Sequence, residues 1–404
     1  MKICYIASLF EPELGGGAAK VVYDLAHGMA NLGHEISVIT SSSKKDQKTY
    51  IDNNICIYQI FAPNLYWIYD KDNQPNIKKF FFQLIDIWNP FVKRKIKKIL
   101  LLESPDVVHV HKLRGLSPAV WAAADEVRVR KIIHTCHDYE LISPQGALVG
   151  KIGDLSLRRK FPINFYQKIR AHFSKMVTDG LAPSKYLLEK HMEYGFFMRA
   201  NQNIIPNTHG YTLSQIKEHK SFNNSIKTGL NILFIGRLVK EKGVEIICDV
   251  VIKLNKQGKE IHLDIIGNGR IELELKKKFS QTTRIDFHSA IHGQTKNDYL
   301  KKCDLLIFPS TWPESFGIVI TEAFAFGKPV IASNIGAIPE LIEDGYNGFL
   351  FEPNDKEQLE NIITKIFNDK SLLDDMRENC FQSSENYCME TFIENHLEIY
   401  NAKN

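Results

Sequence analysis

The amino-acid sequence predicts an α/β protein with two domains, each built on a parallel β-sheet. Short apolar segments alternate with helical patterns along the chain, which is typical of parallel sheets. The 404 residues exceed the length of one ordinary domain. A polar stretch without a clear apolar period, residues 208–228, divides the strand-like segments into two series.

The strands of each series can be placed from their short apolar runs. In the first series the predicted strands are Lys2–Ala7, Glu35–Thr40, Ile55–Phe61, Val107–His111, Lys131–Thr135 and Met176–Leu181. In the second series they are Leu230–Ile235, His262–Ile266, Arg284–Phe287, Leu305–Pro309, Pro329–Ala332 and Gly348–Phe351. We therefore expect a first domain over residues 1–207, a linker with a short helix over 208–228, and a second domain over 229–385. Apolar side chains at helical spacing within 386–404 predict a last helix that packs back across the domain junction.

Composition and charge argue against several classes of protein. The formal net charge is only +4, so charge alone predicts no nucleic-acid partner. No apolar run approaches the roughly 20 residues of a membrane-spanning helix, and Met1–Ser8 is typical of a short strand rather than a signal peptide. The seven cysteines are scattered without a C-x-x-C pair, which predicts reduced thiols in a cytoplasmic protein rather than disulfides or a zinc framework.

One helical segment in the last third of the chain is especially informative. All residues from Ile318 to Phe326 are apolar except Thr321 and Glu322, so the segment predicts a helix buried on every side. A buried carboxylate without a partner is costly, and Glu322 must therefore face a group that compensates its charge. Free backbone N–H groups over Ser315–Gly317 predict an anion site between Glu314 and Glu322. The alternative is a buried helix whose glutamate is merely paired with an arginine.

Three glycine-containing turns follow predicted strands, at the sheet edge where α/β proteins bind ligands. The first, Gly15–Gly17, opens a helix and allows a ligand to approach the backbone closely. The second carries Arg237 and Lys242, two cations that suit a diphosphate, and the third is Gly267–Gly269. Each signal is weak alone, since a flexible turn or a solvated charge run explains it equally well. The turns of the second series and the buried helix converge on one sheet edge and so support one another.

Some histidines and acidic residues of the first series have the spacing of metal ligands. His109 and His111 end a strand, but no third ligand at metal spacing is apparent, and we interpret them as members of a polar network. Asp70 and Asp72 form a D-x-D pair that could hold a divalent cation, and we interpret them as a loop charge cluster. His137 differs because it ends a strand beside an aspartate, which makes it a candidate site residue.

Two segments, 91–102 and 158–170, combine cations with apolar or aromatic side chains. They are equally typical of a surface that binds anionic lipid and of an ordinary solvated helix face. Nucleic-acid binding is the weaker interpretation, since no recognition module accompanies the charge.

Taken together, these motifs resemble the retaining glycosyltransferases of the GT-B fold, in particular glycosyltransferase family 4. Glu314-Ser315-Phe316-Gly317 followed by Glu322 is similar to the E-x7-E motif of that family. The other matching motifs are Gly15-Gly16-Gly17, Gly33-His34-Glu35, His137-Asp138, Gly236-Arg237, Lys242-Gly243, Gly267-Asn268-Gly269, Asp304 with Pro309-Ser310, and Glu340 with Gly345 and Gly348. Their combination in this order is specific, although no single motif is.

The resemblance implies a fold and a set of site residues. The fold would be two Rossmann-like domains with parallel sheets facing a cleft, and a C-terminal helix returning to the first domain. The donor would be a nucleotide-diphosphate sugar, with Arg237 and Lys242 neutralising the diphosphate so that no metal or other cofactor is required. Glu314 would accept hydrogen bonds from the hexose and Glu322 from the ribose, and His137 would contact the transferred sugar or support the reacting centre. The other donor-binding residues would be Gly16, Gly17, Gly267, Gly269, Ser315, Phe316, Gly317 and Ile318.

The function so implied is transfer of a hexose or N-acetylhexosamine, with retention, to a glycan or polyprenyl-diphosphate-linked acceptor. Bacterial surface polysaccharide assembly (lipopolysaccharide, O antigen or capsule) is the expected setting, in the cytoplasm or on the inner face of the cell membrane. A sugar-nucleotide epimerase, a non-catalytic nucleotide-sugar sensor and a metal-dependent transferase are the alternatives. Lys112, Glu140 and Thr208-His209-Gly210 depart from the family pattern, and these departures concern acceptor contacts rather than donor chemistry.

Overall fold

The computed structural model describes residues 1–10, 12–43, 48–144, 146, 148, 163–221, 229–279 and 282–402. The chain forms two compact units, of which the first is Met1–Pro206 with Phe392–Asn404 and the second is Asn207–Thr391. Within the described ranges, no helix has both the length and the apolar character needed to cross a membrane.

The first unit is built on an eight-stranded sheet in the spatial order β3-β4-β2-β1-β5-β6-β7-β8. Its strands are β1 (Lys2–Ala7), β2 (Glu35–Ser42), β3 (Lys48–Asp52), β4 (Ile55–Phe61), β5 (Val107–Lys112), β6 (Lys131–Thr135), β7 (Asp179–Ala182) and β8 (Asn201–Ile204). All neighbours are parallel except β3 and β4, which form an antiparallel hairpin at one edge.

Helices connect these strands. They are α1 (Pro12–Asn31), α2 (Asn76–Ile87), α3 (Pro90–Glu103), α4 (Ala119–Glu126), α5 (Ile163–Phe173) and α6 (Lys185–Met192). The helix α1 is interrupted at Gly16, whose φ of 67° and ψ of −160° are not helical. Glycine adopts this positive φ without the steric cost that a Cβ imposes.

The second unit is built on a six-stranded, fully parallel sheet in the order β11-β10-β9-β12-β13-β14. Its strands are β9 (Leu230–Ile235), β10 (Ile261–Ile266), β11 (Ile285–His288), β12 (Leu305–Phe308), β13 (Val330–Ser333) and β14 (Gly348–Phe351). Its helices are α7 (Leu213–Lys220), α8 (Val244–Lys256), α9 (Glu272–Phe279), α10 (Gly293–Lys302), α11 (Ile318–Phe324), α12 (Lys356–Asn368) and α13 (Ser371–Glu385). Apolar side chains are buried in one cluster on each face of this sheet, as expected for a sheet between two helical layers.

The fold class predicted from the sequence is confirmed, because both sheets are parallel apart from one hairpin. The sequence pattern did not predict β3 or β8, the two edge strands of the first sheet, and both carry polar residues. The strand β3 is almost fully exposed, and β8 has the sequence Asn-Gln-Asn-Ile. Neither shows the apolar pattern of a buried strand, since an edge strand needs only its backbone hydrogen bonds to pair.

The last helix, α14 (Met389–Asn401), joins the first unit from Phe392 onward. Tyr400 binds it there, because its hydroxyl lies 3.3 Å from the Tyr5 hydroxyl and 2.7 Å from Nδ1 of His109. The other ring nitrogen of His109 lies 2.7 Å from Oγ1 of Thr135. The polar network predicted for His109 therefore anchors the C-terminal helix.

Candidate functional site

Glu314 collects three hydrogen-bond donors at the carboxyl edge of the second sheet. Its Oε1 lies 2.6 Å from Nζ of Lys242 and accepts a 2.8 Å hydrogen bond from Nε1 of Trp312. The hydroxyl of Ser310 donates to the same oxygen. No residue in the described ranges bonds to Oε2. The carboxylate is thus held through one oxygen while the other stays available.

This arrangement depends on the loops that follow β9 and β12. The Glu314 side chain is only 8% exposed and that of Lys242 is 14% exposed, so their charges attract each other more strongly than in water. The Lys242 ammonium also lies 5.0 Å from the ring centroid of Phe308, a cation–π contact. A Cβ at Gly243 would lie 2.1 Å from the Pro309 carbonyl oxygen, which shows how closely the two loops pack.

Glu322 is held in the same way by a lysine of α10. Nζ of Lys296 lies 2.5 Å from Oε1 of Glu322, and no residue that the structure describes bonds to Oε2. The Glu322 side chain is only 6% exposed, as the apolar sequence around it predicts. Burial, together with the charge of Glu322, raises the pKa of Tyr211. The compensating cation is therefore the lysine Lys296 and not the arginine of the alternative interpretation.

Glycines in the turn after β10 allow its backbone to approach the backbone of the loop after β9 closely. A Cβ at Gly267, where φ is 152°, would lie 1.9 Å from the Gly236 carbonyl oxygen. A Cβ at Gly269 would lie 2.2 Å from the Leu238 carbonyl oxygen, and the Leu238 N–H donates a 2.9 Å hydrogen bond to the Asn268 carbonyl. These contacts fix the loops after β9 and β10 to each other.

Arg237 and the start of α11 complete the predicted set in this unit. Arg237 is exposed, and no carboxylate in the described ranges forms an ion pair with it. Gly317, with φ of 150°, precedes α11, which begins at Ile318 and is shorter than predicted. Phe316 is buried at 4% exposure, whereas Ser315 is half-buried. The structure thus brings Glu314 and Lys242 into contact and leaves Arg237 exposed.

The other predicted site residues belong to the first unit. Gly16 and Gly17 are exposed near the start of α1, and a Cβ at Gly16 would touch nothing within 4 Å. His137 follows β6 and is buried, with Nε2 3.0 Å from Nδ1 of His111. Burial and the nearby Lys112 ammonium lower the pKa of His137 to about 3, so its ring is neutral near pH 7. Its Nδ1 has no partner among the described residues.

The residues that depart from the family pattern form contacts of their own. Nζ of Lys112 lies 2.9 Å from Oδ2 of Asp138. Burial alone would raise the pKa of Asp138, but the charges of Lys112 and Arg114 lower it to about 2. Oε1 of Glu140 accepts a 2.7 Å hydrogen bond from the Leu113 N–H, and burial raises the pKa of Glu140. His209 lies with Nε2 3.0 Å from the Ser384 carbonyl oxygen, which ties the 207–210 segment to α13.

Some sequence interpretations need correction or fall outside the described residues. Arg170, counted among the surface cations of segment 158–170, is buried and lies 3.5 Å from Oδ2 of Asp86. Residues 158–162 of that segment, and the side chain of Asp72 in the D-x-D pair, lie outside the description. In segment 91–102, Lys93 and Lys97 pair with Glu126.

Three residues that contact the two glutamates were absent from the predicted site: Lys296, Ser310 and Trp312. Ser310 and Trp312 lie within four residues of Glu314 in the sequence, so proximity was an available signal. Lys296 lies on α10, a mostly polar helix with three lysines. Nothing in that sequence distinguishes Lys296 from the other two lysines as a site residue.

Two family models match consecutive parts of the chain. "Glycosyltransferase Family 4" matches residues 15–208, and "Glycosyl transferases group 1" matches residues 215–383. The crystal structure of Anabaena Alr3699/HepE in complex with UDP shares the fold, with a TM-score of 0.69, 19% identity and 99% coverage of both chains.

The two models together cover most of the chain, which therefore belongs to the glycosyltransferases that they describe. Among the relatives of this glycosyltransferase is an uncharacterized 42.6 kDa protein in the cps region of Klebsiella pneumoniae, 28% identical over 84% of this chain and 87% of that protein. The alpha-monoglucosyldiacylglycerol synthase of Acholeplasma laidlawii is 24% identical over 99% of this chain and 96% of the synthase.

Proposed function

We propose that this glycosyltransferase moves a hexose or N-acetylhexosamine from a nucleotide-diphosphate sugar to a lipid-linked acceptor, with retention at the anomeric carbon and without a metal. The expected setting is assembly of a bacterial surface polysaccharide. The cps-region relative supports that setting, and the UDP complex of a protein with the same fold supports a nucleotide donor.

One observation carries the donor part of the proposal. Glu314 and Glu322 are each held through Oε1 by a lysine, and each has an Oε2 that no described residue binds. A buried carboxylate oxygen fixed in this way is a preorganised acceptor for a sugar hydroxyl. Glu314 is proposed to bind the hexose and Glu322 the ribose.

The diphosphate is proposed to bind between these carboxylates, where Arg237 and Lys242 supply its counter-charges. Arg237 has no competing carboxylate in the described part of the chain, so its guanidinium is available to a phosphate. Lys242 is oriented by Glu314, and a phosphate oxygen would share its ammonium protons with that carboxylate. These two cations can thus neutralise the diphosphate, as a divalent metal does in other transferases.

In the proposed reaction, the bond between the anomeric carbon and the diphosphate oxygen breaks as the acceptor oxygen attacks from the same face. The acceptor hydroxyl proton moves to the leaving phosphate oxygen, so no side chain becomes a covalent intermediate. The protein contributes by positioning the reactants and by stabilising the negative charge of the diphosphate. His137, neutral near pH 7, is proposed to contact the transferred sugar through its unpartnered Nδ1.

Contact with a membrane is proposed for the first unit, at α2. Ile77, Phe80, Phe81 and Leu84 recur at helical spacing on this helix, and each is at least 44% exposed. The exposed Lys78 lies beside them, which suits an anionic lipid surface. The lipid glycosyltransferase of Acholeplasma laidlawii is a relative over nearly the whole chain, which supports an acceptor delivered at a membrane.

The test combines binding with turnover. Thermal unfolding of the purified chain is measured with UDP, GDP, dTDP and ADP sugars, since a bound donor raises the melting temperature by mass action. The stabilising donor is then incubated with a polyprenyl-diphosphate-linked glycan, and the anomeric configuration of the product is determined by NMR. An inverted product, or loss of turnover in EDTA, would contradict the proposal. Epimerisation of the donor, or binding without transfer or hydrolysis, would favour the epimerase or the sensor.

A further inference from the structure

Two adjacent strands of the second unit place four potential metal ligands on one face of the sheet. His262 and Asp264 lie two residues apart on β10, and Asp286 and His288 lie two residues apart on β11. Asp264 is paired with Asp286 in the parallel register. Side chains two residues apart in a strand point to the same face, so the backbone itself brings these groups together.

The two distances from His262 to the aspartates are close to those between ligands of one bound ion. Nε2 of His262 lies 3.6 Å from Oδ2 of Asp264 and 3.4 Å from Oδ2 of Asp286. One ligand atom from each of the three residues lies within 4.8 Å of the others. Ligands of a tetrahedral zinc ion, about 2.0–2.1 Å from the metal, are about 3.3–3.4 Å apart. A direct hydrogen bond would instead bring the atoms to about 2.7–3.2 Å.

The negative charges of Asp264 and Asp286 also favour binding of a cation between them. Two carboxylates directly opposite on neighbouring strands repel each other. No lysine or arginine within the described ranges forms an ion pair with Asp264 or Asp286, since their ion-pair partners are His262 and His288. Arg284, which directly precedes β11, pairs with Glu260 instead.

His288 supplies the kind of support that ligand carboxylates usually have. Its Nε2 lies 2.7 Å from Oδ1 of Asp264, so it orients that carboxylate and leaves Oδ2 directed toward His262. The Tyr299 hydroxyl lies 3.2 Å from Nδ1 of the same ring and fixes its orientation. The Asp286 side chain is 60% exposed, so solvent can reach the fourth coordination position.

We infer that His262, Asp264 and Asp286 form a binding site for a divalent transition-metal ion of the zinc type, with His288 as a positioning residue. One histidine nitrogen and two carboxylate oxygens, with water as the fourth ligand, suit Zn²⁺ better than Mg²⁺, which prefers oxygen ligands in octahedral geometry. The ion would bridge β10 to the edge strand β11. The site starts at the amino end of β10, whereas Arg237, Lys242 and Glu314 follow carboxyl ends of strands, so the ion has no part in the proposed transfer.

The site is tested by metal binding rather than by activity. The full chain is freed of metal with a chelator and titrated with Zn²⁺ by calorimetry, and with Co²⁺, whose visible absorption reports four-coordinate geometry. We expect one Zn²⁺ per chain, and a melting temperature higher by roughly 5 °C at an excess of 100-fold over the dissociation constant. Asp286→Asn and His262→Ala should each abolish this binding. His288→Ala should weaken it about 10-fold to 100-fold, the usual effect of losing a supporting partner.

The matched control is His292→Ala, which removes an exposed histidine of the same unit outside the cluster and should leave zinc binding unchanged. Asp286 is exposed, so its substitution tests the site even where His262→Ala lowers the yield of folded protein. Absence of zinc binding by the wild-type chain would overturn the inference. Equal zinc affinity in the wild type and in Asp286→Asn would overturn it too, since the metal would then bind elsewhere, for example at a thiol.

Discussion

Nζ of Lys242 lies 2.6 Å from Oε1 of Glu314, and the two residues come from loops that follow different strands of one sheet. Each residue therefore fixes the other, although they are far apart in the sequence. The ion pair is nearly buried, which makes it sensitive to removal of either charge. The two removals should still differ in their effect on activity, because only Glu314 carries the proposed contact with the sugar.

Replacement of Glu314 by glutamine tests that contact. Glu314→Gln keeps the shape of the side chain but removes its charge, and hydrogen bonds to charged groups contribute about 1.5–3 kcal/mol. We expect kcat/KM to fall by about 10-fold to 100-fold in a steady-state assay with the preferred donor. Glu343→Gln, at an exposed carboxylate of the same unit, is the control and should retain wild-type turnover. Equal activity of the two variants would remove Glu314 from the site.

Arg237 and Lys242 should differ in what they do to stability. Arg237→Ala removes an exposed side chain, so the free energy of unfolding should change by no more than about 0.5 kcal/mol while donor affinity falls. Lys242→Ala leaves Glu314 with two neutral donors and should cost about 1–3 kcal/mol of stability as well. Urea unfolding and donor titration measure the two effects separately. Lys240→Ala removes an exposed cation of the same loop and should change neither the free energy of unfolding nor the donor affinity. An Arg237→Ala enzyme with wild-type donor affinity would contradict the role proposed for Arg237.

The turn after β10 should not tolerate a side chain. In Gly267→Ala the new Cβ would meet the Gly236 carbonyl oxygen at 1.9 Å, so the two loops must separate. Gly258→Ala is the matched control, because Gly258 also has positive φ but has open space around its Cβ position. Gly258→Ala should cost about 1 kcal/mol from backbone strain alone. Gly267→Ala should cost more and should also weaken donor binding, as measured by thermal unfolding with and without donor. Similar losses in both variants would show that the close approach is unimportant.

Acid should destabilise the chain through its buried histidines. Burial lowers the pKa of His396 and of His191 to about 4 and, with the Lys112 charge, that of His137 to about 3, from an ordinary 6.5. Below pH 6.5 the unfolded chain binds protons that the folded chain does not, so stability falls as the pH drops toward these values. Each histidine contributes about 1.4 kcal/mol per pH unit in that window.

Urea unfolding at pH 7.5 and pH 5.5 measures this loss. His396→Gln should reduce the difference between the two pH values by about 1 kcal/mol, whereas His292→Gln, at an exposed histidine, should not change it. A pH-independent free energy of unfolding in the wild type would contradict the histidine account.

The apolar face of α2 should determine membrane contact. Phe80→Ser with Phe81→Ser removes two exposed aromatic rings, and cosedimentation with vesicles that contain anionic lipid should fall several-fold. The matched control is Leu273→Ser, at an exposed apolar residue of the second unit, which should bind vesicles like the wild type. Wild-type vesicle binding by the double variant would exclude α2 as the contact.

The sequence by itself determined the fold class, because an apolar strand buried between two helical layers leaves a pattern that is visible locally. Strands such as Lys2–Ala7 and Leu230–Ile235 were placed to the residue. The burial of Glu322 was also readable, since the apolar residues around it leave no exposed face. The exposed β3 and the polar β8 carried no such pattern.

Only the tertiary structure decided which groups meet. The sequence does not show that Lys296 contacts Glu322 or that Lys242 contacts Glu314. Pairing of parallel strands brings together residues that are far apart in the sequence, and their separation along the chain does not predict their distance in space. The same holds for His262 and Asp286, which are brought together by strand pairing alone. Burial then gives these pairs their importance, since a charge with little access to water depends on the partner that the fold provides.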